Sequence, residues 1–188
     1  MNNAEKVMVW DPFVRLFHWT LVAAFTVAYL SAEDWEGVHV IAGYVVLGLV
    51  VARILWGFIG TRNARFTSFV RSPTAAGRYA LDVLTGRAAR HLGHNPAGGL
   101  MIVLMIIALV ATTLTGLALY GADEGAGPLA FWLAGSGERL EHTLEEVHEF
   151  FANLMVAFIV IHVLGVIVES FLHHEDLVGA MFHGRKRV

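Results

Sequence analysis

The chain has 188 residues, 56% of them hydrophobic and only 15% charged, and its mean hydropathy is +0.61. Ordinary soluble domains are about 45–50% apolar and about 25% charged, so a soluble globule of this size could not hide its apolar surface, whereas lipid would cover it. There is no cysteine, which excludes disulfides, Cys-based zinc sites, iron–sulfur clusters, c-type haem attachment and thiol catalysis. Ten histidines remain as donors for any metal, and a net charge of −3 gives no reason to expect nucleic acid.

Four apolar stretches follow in chain order, each near the ~20 residues that cross a bilayer. The first covers 13–30, with Arg15 and His18 near its start. A signal peptide fits this stretch poorly, because no small-residue cleavage site follows and Trp35-Glu36-Gly37 leads straight into the next span. The second covers 38–59 and carries only His39 and Arg53; the third covers 98–120 without a charge. The fourth falls within 146–170 and holds Asn153 and His162. Between the second and third, Pro73 and the alternation after it predict a short amphipathic helix over 74–84.

Charge sets the orientation. Arg62, Arg65, Arg71, Arg78, Arg87 and Arg90 occupy the middle loop with one acid, Asp82, and the chain closes on Arg185-Lys186-Arg187. The other two links are acidic: Glu33, Asp34 and Glu36 in one, and Asp123 through Glu149 in the other, with Arg139 the sole Lys or Arg there. Excess Lys and Arg mark the cytoplasmic side. The expected fold is therefore an all-α, four-helix transmembrane bundle with both termini cytoplasmic, read as one domain over 1–188. Trp10, Trp19, Trp35, Trp56 and Trp132 lie near span ends, as aromatic belts do.

Ionisable residues within spans are costly and usually functional. His18 and His162 share an inner depth; His39 and His148 share an outer one. His148 and His162 are 14 residues apart, which on one helix is about 21 Å of rise and about 40° short of four turns, so both project to one side. A lone histidine at a span end is commonly an interfacial polar group, but two depth-matched pairs in a Cys-free chain point to paired metal ligation. The metal is haem or copper; zinc fits poorly, since two histidines per depth are too few for its usual ligand set. Bis-His haem would fill both axial positions, the arrangement of electron transfer rather than oxygen activation.

Gly43 and Gly165 lie within a turn of His39 and His162 and serve either haem clearance or close helix packing. Arg15 and Arg53, near the inner depth, either contact haem propionates or snorkel to the headgroups. In Gly93-His94-Asn95-Pro96, Asn95 suits the N-cap of the third span and Pro96 its first position, leaving His94 to meet a propionate or a quinone. The remaining histidines, His91, His142, His173, His174 and His183, are expected in solvent or at headgroup level.

These residues bring a known family into view. Trp10-Asp11-Pro12-Phe13-Val14-Arg15-Leu16-Phe17-His18-Trp19, His39-Val40-Ile41-Ala42-Gly43-Tyr44, Gly93-His94-Asn95-Pro96 and the run from His148 through Asn153 to His162 resemble the bacterial cytochrome b561 family, including the b-type subunits of nickel–iron hydrogenases. So does the closing segment from Glu175-Asp176-Leu177-Val178 to Arg187. The resemblance implies two haem b groups, with His18 paired to His162 and His39 to His148. It also implies a multi-pass bacterial inner-membrane protein passing electrons between the quinone pool and a periplasmic cytochrome c or hydrogenase-like protein. The expected partners are thus membrane lipid, quinone and that redox protein, with a homodimer left open and no nucleic acid. A quinone-coupled superoxide oxidase is the alternative within redox chemistry, although the acidic outer link disfavours an anionic substrate. A non-haem transporter or an anchor subunit is the alternative of another class.

Overall fold

A computed structural model describes residues 5–188. It is almost wholly helical, and four helices are long and apolar enough to cross a membrane: α1 (Pro12–Leu30), α2 (Glu36–Ile59), α5 (Pro96–Asp123) and α7 (Glu138–Leu172). Short helices α3 (Phe66–Phe69) and α4 (Pro73–Leu84) lie between α2 and α5. Helix α6 (Ala130–Leu133) precedes α7, and α8 (Leu177–His183) follows it. A membrane protein of four spans is the architecture that the hydropathy predicted.

The helices run further than the apolar stretches. The difference is greatest in α7, whose 35 residues make about 52 Å of helix against a hydrocarbon core of about 30 Å. Its first turns are acidic, with His142 near Glu145 and Glu146 one turn on. Hydropathy reports only the part of a helix that seeks lipid; hydrogen bonding carries the helix on into water.

The described residues form two compact units. The first comprises the residues up to Thr20, Val51–Leu104 and Ile159–Val188; the second comprises Leu21–Val50 and Met105–Phe158.

In the first unit, Asp11 caps α1. Its carboxylate accepts from the Val14 amide at 2.9 Å, the Trp56 indole at 3.2 Å and the Thr61 hydroxyl at 2.5 Å, while Pro12 takes the first helical position, where no amide is needed. Burial alone would raise the Asp11 pKa, but these hydrogen bonds outweigh it and hold the carboxyl below its ordinary value. Val9, Trp10, Val14, Ala64 and Ala180 form the apolar core around this cap, with Phe13 and Trp56 packed against it. Helix α4 starts where Pro73 suggested, with the Ser72 hydroxyl accepting from the Ala75 amide. Helix α5 starts on Pro96, with the Asn95 side chain accepting from the Gly98 amide at 2.7 Å.

A two-stranded antiparallel clasp, absent from the sequence expectation, joins β1 (Lys6–Met8) to β2 (Arg185–Arg187). Three-residue strands carry too little periodicity to read. The clasp depends on Gly184, which ends α8 at φ +80° and whose carbonyl accepts from the Val9 and Trp10 amides. A Cβ there would also come within 2.5 Å of the Trp10 carbonyl.

In the second unit, Ala42, Val46 and Val50 form a buried stripe at a spacing of four on α2, and Ala108, Leu109, Thr113 and Met155 are buried as well. The Tyr29 hydroxyl donates to Asn153 at 2.9 Å, which gives the one amide side chain of the fourth span a polar partner.

Candidate functional site

The second unit brings His39 and His148 together. Their ring centroids are 5.9 Å apart, with the planes at 81°. A metal about 2 Å from one nitrogen of each ring would hold two imidazole centroids roughly 6 Å apart, so the spacing suits a shared metal. The other nitrogens are already engaged. His39 Nδ1 lies 2.8 Å from the Ala28 carbonyl and His148 Nδ1 2.9 Å from the Thr112 carbonyl. A carbonyl only accepts, so each Nδ1 carries the proton and each Nε2 keeps its lone pair. A backbone carbonyl on the second nitrogen is how metal-bound histidines are usually oriented.

Gly116 on α5 makes room for the His148 ring, since a Cβ there would lie 2.8 Å from Cε1 and 3.1 Å from Nδ1. Neither Gly116 nor the two carbonyls figured in the sequence reading. Gly116 offered one signal, a small residue in the third span near the depth of His148. The carbonyls offered none, because every residue has one.

The first unit holds His18, His162, His94, Arg15 and Arg53. His18 lies on α1, His162 on α7 and His94 just before α5, all in this unit. No pairing of the His18 and His162 rings comparable to that of His39 and His148 occurs among the described residues. The polar atoms here tell more. His18 Nδ1, His94 Nδ1, Arg53 Nη1, Arg15 Nε and Trp19 Nε1 are all buried without a hydrogen-bond partner. Buried polar groups are nearly always satisfied, so these five, with His173 Nε2 as a sixth in the same unit, point to a polar-edged group. Arginine nitrogens that can only donate suit carboxylates, and haem b brings two.

Arg53 does not snorkel. It is 4% exposed, donates to the Ala64 carbonyl at 3.2 Å and stacks over Phe66 and Phe69. Arg15 is half-buried and donates to the Phe182 carbonyl at 2.6 Å. His94 packs between Trp10 and Phe69, at 4.4 and 4.8 Å between ring centroids. Burial and then the charges of Arg53, His162 and Lys186 push it down to about 3, so it is neutral at ordinary pH. A Cβ at Gly43 or Gly165 would meet nothing within 4 Å, so neither glycine marks a close helix contact within this chain.

Of the two expected settings, solvent or headgroup level, His173 does not take open solvent. Its side chain is 12% exposed and lies 3.4 Å from Glu169, whose carboxylate also accepts from the Tyr79 hydroxyl at 3.0 Å. Four helical residues separate His173 from Glu169, so the two share a face; the partner from α4 arrives only with the fold. Among the described residues no group of three or more His, Asp or Glu gathers as a metal site.

The family model of the prokaryotic cytochrome b561 matches residues 9–184. A protein of Azotobacter chroococcum mcd 1, described as a probable Ni/Fe-hydrogenase B-type cytochrome subunit, is 28% identical over 98% of this chain and 90% of its own length. Proteins of the same description from Azotobacter vinelandii and Rhizobium leguminosarum bv. viciae are 26% and 20% identical, over 98% and 97% of this chain and 90% and 89% of their own lengths. No solved structure gives a significant match. With nearly the whole length matched, four helices fit to cross a membrane and histidines paired on them, the chain belongs to the prokaryotic cytochrome b561 family.

Proposed function

We propose that the chain is a di-haem b-type cytochrome of the bacterial inner membrane that passes electrons between a hydrogenase-like partner and the quinone pool. His39 and His148 hold one haem, and His18 and His162 the other, within a single functional domain. The observation that carries this reading is the His39–His148 pair, with both Nδ1 atoms tied to carbonyls.

Haem b held by His39 with His148, and by His18 with His162, would supply one-electron oxidation and reduction. The chain's own residues do the rest. The Ala28 and Thr112 carbonyls fix the tautomer and rotation of the outer pair, so that both Nε2 lone pairs are preorganised. Arg53 and Arg15 present unpaired donors to propionates, and the cost of burying a guanidinium is offset when a carboxylate meets it. Neutral His94 adds a hydrogen-bonding nitrogen for a propionate or quinone oxygen without adding charge. Gly43 and Gly165 leave the ligand faces clear. The names of the relatives support hydrogenase as the partner over a periplasmic cytochrome c. Exposed carboxylates over 138–149 speak against superoxide as substrate, because they repel anions.

Single alanine variants test the ligands. His39→Ala and His148→Ala should each lose the same haem, and His18→Ala and His162→Ala the other, by pyridine haemochrome count and by which redox component vanishes. Two haems retained in any of the four would remove that histidine from the set. For the partner, hydrogen should reduce the haems quickly in membranes that also contain the hydrogenase, and reduced cytochrome c should not.

A further inference from the structure

We infer that the outward face of the terminal clasp is a binding site for the phosphate of an anionic phospholipid. The clasp pairs Lys6 directly opposite Arg187 and Met8 opposite Arg185, with Val7 opposite Lys186. Lys6, Arg185 and Arg187 are exposed, and Lys186 is buried. Three cations therefore share one face, two of them as a cross-strand pair of like charge, which is destabilising when nothing lies between them.

None of the nearby acids pairs with a cation of this face. Glu175 is engaged by Arg90 and by Lys186, the latter at 2.7 Å. Asp176 caps α8 by accepting from the Gly179 amide at 2.7 Å. Glu5 meets the clasp through its backbone carbonyl, which accepts from the Val188 amide. Among the described residues, Lys6, Arg185 and Arg187 form no ion pair. Arg187 donates to the His174 carbonyl instead, an anchor that fixes its guanidinium while leaving the charge free. These cations, with buried Lys186, His174, His183 and the carboxylates of Glu175 and Asp176, border an open cleft of about 260 Å³.

The occupant follows from the apolar side chains on the same two elements. Met8, directly opposite Arg185 on the clasp, is 55% exposed, and Val178 and Phe182, at i and i+4 on α8 just before it, are 52% and 61% exposed. Residues at that spacing share a helix face. A soluble anion has no use for an apolar stripe beside its charge site. A phospholipid needs both, a cationic seat for the phosphate and apolar side chains for the first acyl carbons. Basic clusters at the end of a transmembrane helix are the usual seat of anionic headgroups.

The test uses the full-length protein with its haem in detergent. Native mass spectrometry with added phosphatidylglycerol or phosphatidylcholine reads retention of each lipid. Phosphatidylglycerol is expected to bind at least about tenfold more tightly, since each cation near an anionic lipid contributes about fivefold. Lys6→Gln with Arg185→Gln and Arg187→Gln should abolish the preference, and Arg185→Gln alone should weaken it about fivefold. Arg78→Gln with Arg87→Gln, exposed cations of the α4 region, should leave it intact. Val178→Asn should weaken phosphatidylglycerol without changing the binding of inorganic phosphate. Equal retention of the two lipids would overturn the proposal, as would a preference surviving in the triple variant. Full displacement of phosphatidylglycerol by millimolar inorganic phosphate would mean a soluble-anion site and would overturn it too.

Discussion

Gly116→Ala is a one-carbon change at a position that no charge, polarity or motif distinguishes. The new Cβ would lie 2.8 Å from His148 Cε1 and 3.1 Å from Nδ1, where ordinary contact begins at 3.4 Å. The ring must therefore withdraw by about 0.6 Å. Its Nδ1 sits 2.9 Å from the Thr112 carbonyl, and a retreat of that size along the bond takes it to about 3.5 Å, beyond a useful hydrogen bond. Losing the group that orients a metal-bound histidine costs about 10–100-fold in affinity, or roughly 1.4–2.7 kcal/mol. The expected outcome is selective weakening of the haem held by His39 and His148. In the assay, the variant is washed in detergent with a haem scavenger, remaining haem is counted as pyridine haemochrome, and a redox titration shows which component was lost. Gly48→Ala is the matched control, since a Cβ there meets nothing within 4 Å, and it should keep full haem. If Gly116→Ala retains both haems with unchanged midpoints and low-spin spectra, Gly116 does not set the seat of His148 and the proposed outer site is wrong in its detail.

The remaining predictions concern the first unit. Arg53→Leu removes a buried cation with one unpaired nitrogen. The midpoint of the haem assigned to His18 and His162 should fall by about 60 mV, a tenfold change in a one-electron equilibrium, with the other midpoint unmoved; equal shifts in both would refute propionate contact. Glu175→Gln breaks an ion pair whose side chains are 7% and 5% exposed, and should cost about 3 kcal/mol in detergent unfolding at neutral pH. Burial alone would raise the Glu175 pKa, but the hydrogen bonds and charges of Lys186 and Arg90 outweigh it and hold the carboxyl below its ordinary 4.5. That stabilisation is full above pH 4.5 and is lost as pH falls through the lower folded value, so wild type and variant should converge only in strong acid. Tyr79→Phe strips the Glu169 carboxylate of its hydroxyl donor and should cost about 1–3 kcal/mol, read as a lower unfolding temperature. Gly77→Ala, in the interior of α4 with open space around it, should gain about 0.5–1 kcal/mol.

The amino-acid sequence by itself determined the class of protein and its four spans. Lipid leaves a plain record: about 20 apolar residues per crossing, arginines on one side and acids on the other. Helix periodicity converts sequence spacing into expected depth and direction, which is why His39 and His148 could be matched before their contact was known. The cap at Asn95 and the helix after Pro73 were legible because each is a local arrangement of neighbours in the chain.

The tertiary structure decided everything that depends on a second element arriving. That Arg53 turns inward over Phe66 and Phe69 rather than outward to headgroups is a matter of which aromatic faces the fold supplies. His173 leaves solvent because Tyr79 and Glu169 meet beside it. The clasp of Lys6–Met8 with Arg185–Arg187 joins the two ends of the chain through strands too short to signal themselves. Above all, the Nδ1 atoms of His39 and His148 are fixed by the carbonyls of Ala28 and Thr112, on helices other than their own. Every residue has a carbonyl, so no side-chain pattern can announce which one will be used; only the packing of one helix against another selects it.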